Sequence, residues 1–178
     1  ISADGKTGGG TVLIGGDWQG SGELLQATYV NVDDVTIISA NATVSGGGGK
    51  IVLWSDIKNT NSITTVNGSL FAKGIDGEGG KIETSGSVIN TDRIIVNASS
   101  KLSRGGLWLI DPYDYTIDST AVSNITSALN SGTSVTVATS ADNSSYGSGG
   151  SSSGNGDITI TSNLQTTAGS SNSATLTL

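Results

Sequence analysis

The sequence predicts an all-β chain folded as a parallel β-helix, a solenoid in which short strands wind around a narrow apolar axis. A pair of glycines followed by a short β-branched strand occurs four times, at 9–14, 48–54, 79–84 and 105–110, with weaker copies at 156–161 and 174–178. A turn-and-strand unit that cannot bury its own apolar face has to stack on copies of itself. Hydrophobic residues make up only 34% of the chain and glycine supplies 27 residues, a balance that favours a thin rod over a compact sphere.

Strand signals are short and closely spaced along the chain. Each run of β-branched and apolar residues is bounded by Gly, Asn, Asp or Ser, the residues typical of turns. The glycine pairs are unevenly spaced, which predicts coils of about 20 residues with loop insertions, stacked about 4.8 Å apart. The predicted strands are 12–14, 35–39, 42–44, 51–54, 63–66, 70–72, 82–84, 94–96, 107–110, 135–138, 158–161 and 175–178.

One stretch departs from the strand pattern and predicts a single short helix near 119–130. Val122, Ile125 and Leu129 share one face at helical spacing. Asp118 or Ser119 can cap the start, and a glycine at position 132 can end the helix. We expect this helix to lie against the side or end of the rod.

The whole chain, 1–178, is interpreted as one β-helical segment. Repeat-like sequence is present from residue 1, so we expect a piece of a longer chain. Residues 140–156 have the Gly/Ser/Asn composition of a flexible loop inserted between two coils. Disorder is the competing interpretation of so polar a sequence, and the many short runs of Val, Ile and Leu argue against it.

Charge and composition exclude several classes of function. The net charge is −7 with only eight Lys and Arg, so no basic cluster is available to bind nucleic acid or an anionic membrane. No apolar run approaches the roughly 20 residues of a membrane-spanning helix. The chain has no cysteine and no histidine, which excludes disulfides and imidazole-ligated metals, and the sequence predicts no cofactor.

Three glycine-pair blocks resemble signature blocks of the filamentous-haemagglutinin-like adhesins, which are two-partner-secreted exoproteins. Residues 105–117 (GGLWLIDPYDYTI) are similar to a family segment in which a strand ending in Leu-Asp-Pro precedes a second strand ending in Thr-Ile. Residues 48–56 (GGKIVLWSD) and 79–86 (GGKIETSG) resemble two further blocks, in the family's order. The segment 57–60 lacks the aromatic residue often found there in the family.

The resemblance implies a right-handed parallel β-helix. It also implies secretion across a Gram-negative outer membrane through a dedicated barrel partner, a location on the bacterial cell surface, and a role in adhesion to a host-cell or surface receptor, including a glycan.

Acidic residues are the first candidates for chemistry, because some parallel β-helices cleave polysaccharides. Glycoside hydrolysis needs two carboxylates about 5–10 Å apart. Most candidates stand beside Gly or Asn at predicted corners, where Asp serves as a turn residue, so the structural interpretation is favoured. Residues 74–80 (GIDGEGG) resemble a calcium-binding repeat, but this stretch occurs only once, and such sites need ligands from neighbouring copies. The candidate carboxylates are Asp33, Asp34, Asp56, Asp76, Glu78, Glu83, Asp111, Asp114 and Asp118.

Other side chains point to weaker possibilities. Trp54 and Trp108 fall at nearby positions of repeat strands, which favours core packing, whereas Tyr113 and Tyr115 follow a proline and are expected to be more exposed. Lys50 and Lys81 each follow a glycine pair and are expected to project into solvent.

Asn-x-Ser/Thr sequons begin at Asn41, Asn67, Asn97, Asn124 and Asn143. An ice-binding ladder is a third idea, prompted by Thr133, Thr136, Thr139, Thr159, Thr161, Thr175 and Thr177.

These observations predict a structural and adhesive segment without enzymatic activity of its own. The glycine-pair strands and the absence of a nucleophile-and-base set favour that interpretation, and the sequence assigns no catalytic, metal or ligand-binding residue. The alternative is a carbohydrate-active or carbohydrate-binding β-helix in which acidic corners align into a groove.

Overall fold

The computed structural model describes residues 1–139, 155–167 and 173–178. The predicted loop insertion at 140–156 therefore lies outside the described residues except for its last two. The strands are β1 (Thr11–Ile14), β2 (Tyr29–Val32), β3 (Ile37–Ser39), β4 (Lys50–Trp54), β5 (Ile63–Val66), β6 (Ser69–Phe71), β7 (Lys81–Gly86), β8 (Val88–Asn90), β9 (Ile95–Asn97), β10 (Leu107–Pro112), β11 (Tyr115–Ile117), β12 (Ser134–Val137), β13 (Ile158–Ile160) and β14 (Leu176–Thr177).

The strands form separate sheets in which all neighbouring strands run parallel. The largest sheet has the order β1-β4-β7-β10-β12-β14, and two three-stranded sheets have the orders β2-β5-β8 and β3-β6-β9. Strand β11 pairs with β13. From β1 to β9, three successive strands of the chain enter three different sheets before the order repeats. The predicted all-β class with parallel pairing is confirmed at this level.

The predicted helix is confirmed. Helix α1 (Ser119–Ser131) begins after Asp118, whose side chain accepts hydrogen bonds from the backbone N–H groups of Thr120 and Ala121. It ends at Gly132, which adopts the left-handed conformation with a φ of 97°. Its buried face packs Ile125 and Leu129 into the main core. No helix among the described residues is long and apolar enough to cross a membrane.

Several predicted strand positions need correction. Residues 42–44 do not form a strand, because they belong to the connection between β3 and β4 and make only an isolated bridge from Ala42 to Gly5. Strands β2, β8 and β11 are not among the strands predicted from the apolar runs, and only the family resemblance implied β11. All three are short, and β8 has an exposed valine and asparagine at its ends, so its apolar pattern is weak.

The glycine pairs mark the corner where the chain enters the large sheet. In each of four connections the N–H of the second glycine donates a 2.7 Å hydrogen bond to an alanine carbonyl at the start of that connection; the pairs are Gly10 to Ala3, Gly49 to Ala40, Gly80 to Ala72 and Gly106 to Ala98. A Cβ on Gly48 would overlap the Ala72 carbonyl oxygen, and one on Gly49 would overlap the Gly10 carbonyl oxygen. Only glycine lets the neighbouring connections approach this closely.

The core lies on one face of the large sheet, and a smaller cluster lies on the other. Ile51 and Leu53 alternate with Val52 and Trp54 along β4, so the first pair joins the main cluster and the second pair faces the opposite side with Ile57. A strand buried on both faces needs a cover on each side. On the second face that cover is the connection between β1 and β2.

Candidate functional site

Residues 15–26, here called the cover loop, lie over the second face of the large sheet. The loop contains a short 3-10 turn, Trp18–Gly20, whose first N–H donates to the side chain of Asp17 at 2.6 Å. A Cβ on Gly20 would overlap the indole of Trp54, which is 1% exposed. The loop therefore rests directly on the Trp54 ring.

Glu83 on β7 fastens the middle of the cover loop to the sheet. The backbone N–H of Gln19 lies 2.8 Å from one carboxylate oxygen of Glu83 and 3.1 Å from the other. The hydroxyl of Ser85 donates to the same carboxylate at 2.8 Å. Gln19 has a φ of 53°, in the left-handed region that a non-glycine residue rarely adopts. The bond to Glu83 thus holds a turn that the backbone would otherwise disfavour.

Strand register places Glu83 among apolar neighbours and near a second acid. Glu83 pairs with Val52 on β4 and with Leu109 on β10, so aliphatic residues flank it on both sides. Asp111 lies two positions beyond Leu109 and therefore points to the same face. Both acids are 0% exposed.

This environment makes Glu83 an unusual acid. Burial raises the pKa of Glu83 from 4.5 to about 7, against the opposing effect of its hydrogen bonds from Gln19 and Ser85. The charges of Asp111 and Asp17 raise the pKa further. No lysine or arginine among the described residues forms an ion pair with Glu83. Its carboxyl group can therefore gain or lose a proton near neutral pH.

The flanks of the cover loop are held by weaker contacts. Lys50 lies 3.5 Å from the Asp17 carboxylate, and the Lys81 ammonium sits 5.7 Å from the centre of the Trp18 ring. The two lysines are register partners, which confirms their equivalent positions. Lys81 is exposed as expected, whereas Lys50 is partly buried beside Asp17. The indole N–H of Trp54 donates to the side chain of Gln26 at 3.1 Å.

The other predicted carboxylates serve local structure. Among them, Glu78 pairs with Arg104 at 2.7 Å and Asp34 with Arg93 at 2.9 Å, both on the surface. Asp76 accepts from the backbone N–H of Gly46. The remaining contacts are those of Asp33 with Thr36, Asp56 with the Lys58 N–H, Asp114 with three backbone N–H groups at 155–157, and Asp118 with the first turn of α1.

No group of three or more potential acidic, cysteine or histidine metal ligands occurs within the described part of the chain. Asp76 and Glu78, the acids of the calcium-like stretch, are directed to Gly46 and Arg104.

The aromatic predictions were right for the tryptophans and wrong for the tyrosines. Trp54 and Trp108 are both buried, but on opposite faces of the large sheet; the Trp108 indole donates to the Thr84 hydroxyl at 3.1 Å. Tyr113 and Tyr115 were expected to be exposed, yet both are buried. β11 pairs with β13 and its inward positions face the main core, so Tyr115 packs inside.

The sequons differ in how their side-chain amides are used. Asn41, Asn67 and Asn97 accept backbone N–H bonds through the side-chain oxygen, from Lys73, Arg93 and Ser99 respectively. Asn124 instead donates its side-chain N–H to the Thr91 carbonyl. Asn143 lies outside the described residues.

The threonines of the ice-binding idea are divided between sheets. Thr136 and Thr177 are register partners in the large sheet, whereas Thr159 belongs to β13. Thr133 is buried, and its hydroxyl accepts the Ala98 N–H at 2.8 Å.

Glu83 and Asp111 are both among the candidates predicted from the sequence, but the sequence did not indicate that they lie near each other or that the cover loop contacts Glu83. The signal was available in the glycine-pair blocks. The fourth residue after the first glycine is Val52, Glu83 or Leu109 in three successive blocks, so an acid occupies an otherwise apolar position. Compared with protein-family models, curated proteins and solved structures, the chain gave no match.

Proposed function

We propose that this chain is a stretch of right-handed parallel β-helix from a secreted bacterial surface exoprotein, and that it serves as a structural and adhesive segment. The resemblance of three sequence blocks to filamentous-haemagglutinin-like adhesins motivates the biological role. Its expected partners are an outer-membrane secretion barrel and a host-cell or surface receptor.

The observation that carries the proposal is the order of strand pairing. Successive strands enter three sheets in turn, and every pair of neighbouring strands from β1 to β9 is parallel. Rungs stacked in this way form continuous ladders of backbone hydrogen bonds along one axis, which stiffen the stack while each coil needs little apolar area. A shaft that holds a binding region away from the cell needs that stiffness.

The corner geometry supports the same proposal. Four connections repeat the glycine-to-alanine hydrogen bond at 2.7 Å, so each coil closes the same corner before it enters the large sheet. The connections between these corners differ in length and sequence. Variable surface loops on a regular stack offer a route to receptor specificity without changing the scaffold.

The test is binding by the folded chain. Arrays of glycans and extracellular-matrix proteins should reveal a ligand that the purified 178-residue chain retains and that the heat-unfolded chain does not bind. A folded chain that retains no ligand on either array would remove the adhesive role. Depolymerase activity on a glycan panel would replace the adhesive role with an enzymatic one.

A second candidate is a carbohydrate-active β-helix, and the pair of Glu83 and Asp111 favours it. An acid with a pKa raised to about 7 is suited to proton donation in glycoside cleavage. Both carboxyl groups are fully buried, and the cover loop lies on Glu83, so such activity requires the loop to move. The same glycan panel, with Glu83→Gln as the comparison, distinguishes the two candidates.

A further inference from the structure

The cover loop has glycines on both sides of Gln19, whose backbone N–H donates to both oxygens of Glu83. Gly15 and Gly16 begin the loop, and Gly20 and Gly22 follow Gln19 near its middle. Gly15, Gly20 and Gly22 all adopt positive φ angles, so the loop turns sharply at both sides of Gln19. Leu25, near the end of the loop, is 94% exposed and therefore adds no buried apolar contact.

The charged groups that face Glu83 disfavour its ionised form. Asp111 approaches from β10 and Asp17 from the cover loop, and both are acids. The nearest cations are engaged elsewhere: Lys50 on β4 contacts Asp17, and Lys81 on β7 lies over the Trp18 ring. An ionised Glu83 in the closed structure would thus be a buried negative charge beside other acids, without a cation of its own.

We propose that the cover loop is a proton-controlled lid, closed while the Glu83 carboxyl is protonated and released from the sheet when that group ionises. Release lets water reach the carboxylate, which removes the cost of its burial, and frees Gln19 from its left-handed turn. The same movement uncovers the indole of Trp54, on which Gly16 and Gly20 of the loop rest. This inference does not depend on the adhesive role.

Charge and geometry agree on the direction of the switch. The pKa of Glu83 is raised to about 7, mainly by burial, so the protonated group predominates below neutral pH and the ionised group above it. Opening relieves burial and separates Glu83 from Asp17, which moves with the loop. The lid is therefore closed in mildly acidic solution and opens in mildly alkaline solution.

Acrylamide quenching of tryptophan fluorescence tests the lid, because Trp54 and Trp18 lie at its contact while Trp108 lies in the main core. In the wild-type chain, quenching should rise with a midpoint near pH 7 and the slope of a single proton. In Glu83→Gln the rise should be lost, since the amide cannot ionise. Glu78→Gln is the matched control: it removes a surface carboxylate and should leave the wild-type rise unchanged.

Two results would overturn the proposal. One is a wild-type quenching curve that is flat from pH 5 to 9. The other is an equal rise in Glu83→Gln. If that variant fails to fold, hydrogen exchange of the wild-type chain provides the test. As the pH rises, and after correction for intrinsic exchange rates, the amides of residues 15–26 must lose protection while those of β10 keep it. A parallel loss in both segments means global unfolding and contradicts a local lid.

Discussion

The backbone N–H of Gln19 donates to both carboxylate oxygens of Glu83, 64 residues further along the chain, at 2.8 and 3.1 Å. This contact joins a connection at one end of the largest sheet to its third strand. It crosses over β4, so three successive levels of the fold are tied by one carboxyl group. A group so placed should influence stability as well as loop position.

The first prediction concerns the pH dependence of unfolding. The pKa of Glu83 is about 7 in the folded chain, whereas its ordinary value, taken for the unfolded chain, is 4.5. Between pH 4.5 and 7 the folded state therefore binds more protons than the unfolded state. The stabilisation from this group is complete below about pH 4.5 and is lost as the pH rises through 7. The loss is on the order of 3 kcal/mol, at 1.36 kcal/mol per pKa unit.

Urea denaturation at a series of pH values measures this effect. Glu83→Gln should flatten the decline in the free energy of unfolding between pH 5 and 8 and should be more stable than wild type at pH 8. Glu78→Gln, which alters only a surface pair with Arg104, should follow the wild-type curve within about 0.5 kcal/mol. A wild-type curve that rises over this range would contradict the assignment.

The second prediction concerns the glycine corner and has a control inside the repeat. Gly49→Ala should destabilise the fold by about 1–3 kcal/mol or more, because its Cβ would overlap the backbone of Gly10. Gly10→Ala occupies the equivalent position, but its Cβ would lie 3.0 Å from the Ala3 carbonyl oxygen, a contact that a small shift relieves. The midpoint of thermal unfolding should therefore be lower for Gly49→Ala than for Gly10→Ala. Equal losses of stability in the two variants would show that the close stacking of neighbouring coils is not what requires glycine.

Much of the fold was predictable because its signals are local and repeated. Pairs such as Gly48 and Gly49 recur at the same step of each level, and they indicated both the strands that follow and the parallel stack. Helix α1 was predictable from Asp118, Gly132 and the apolar spacing between them. The strands missed at β2 and β8 are short and half exposed, so the apolar alternation there is too brief to stand out.

The candidate site was not predictable in the same way, because its parts come from distant positions without a shared period. The cover loop occurs once, between β1 and β2, and nothing in its sequence indicates which strand it will cover. The exposure expected for Tyr113 and Tyr115 was wrong because β11 continues the fold inward after Pro112. Such errors arise where tertiary pairing, not local sequence, decides which side of a strand is buried.

The third prediction concerns the start of α1. Asp118→Ala removes the acceptor for the N–H groups of Thr120 and Ala121 and should cost about 0.5–2 kcal/mol. Asp118→Asn keeps an oxygen acceptor at the cap and should lose much less. The measurement is the midpoint of thermal unfolding by far-ultraviolet circular dichroism. Equal losses in the two variants would indicate that the charge, and not the capping bond, provides the stabilisation.

The last prediction concerns the return of the chain into β13. One oxygen of Asp114 accepts three successive backbone N–H bonds, from Asn155 at 3.0 Å, Gly156 at 2.8 Å and Asp157 at 2.9 Å. Charge-assisted bonds of this kind contribute more than neutral ones. β13 follows directly in the chain and, within the described residues, pairs with β11 alone. Asp114→Ala should therefore release β13 locally while the large sheet stays protected.

Hydrogen exchange measures that release as lost protection in residues 158–160. Asp114→Asn is the matched variant: it keeps an oxygen acceptor but removes the charge, so its loss of protection should be intermediate. Protection in β7 and β10 serves as the internal reference, because these strands are neighbours in the middle of the large sheet. Unchanged protection of β13 in Asp114→Ala would show that the pairing of β11 with β13 persists without the carboxylate.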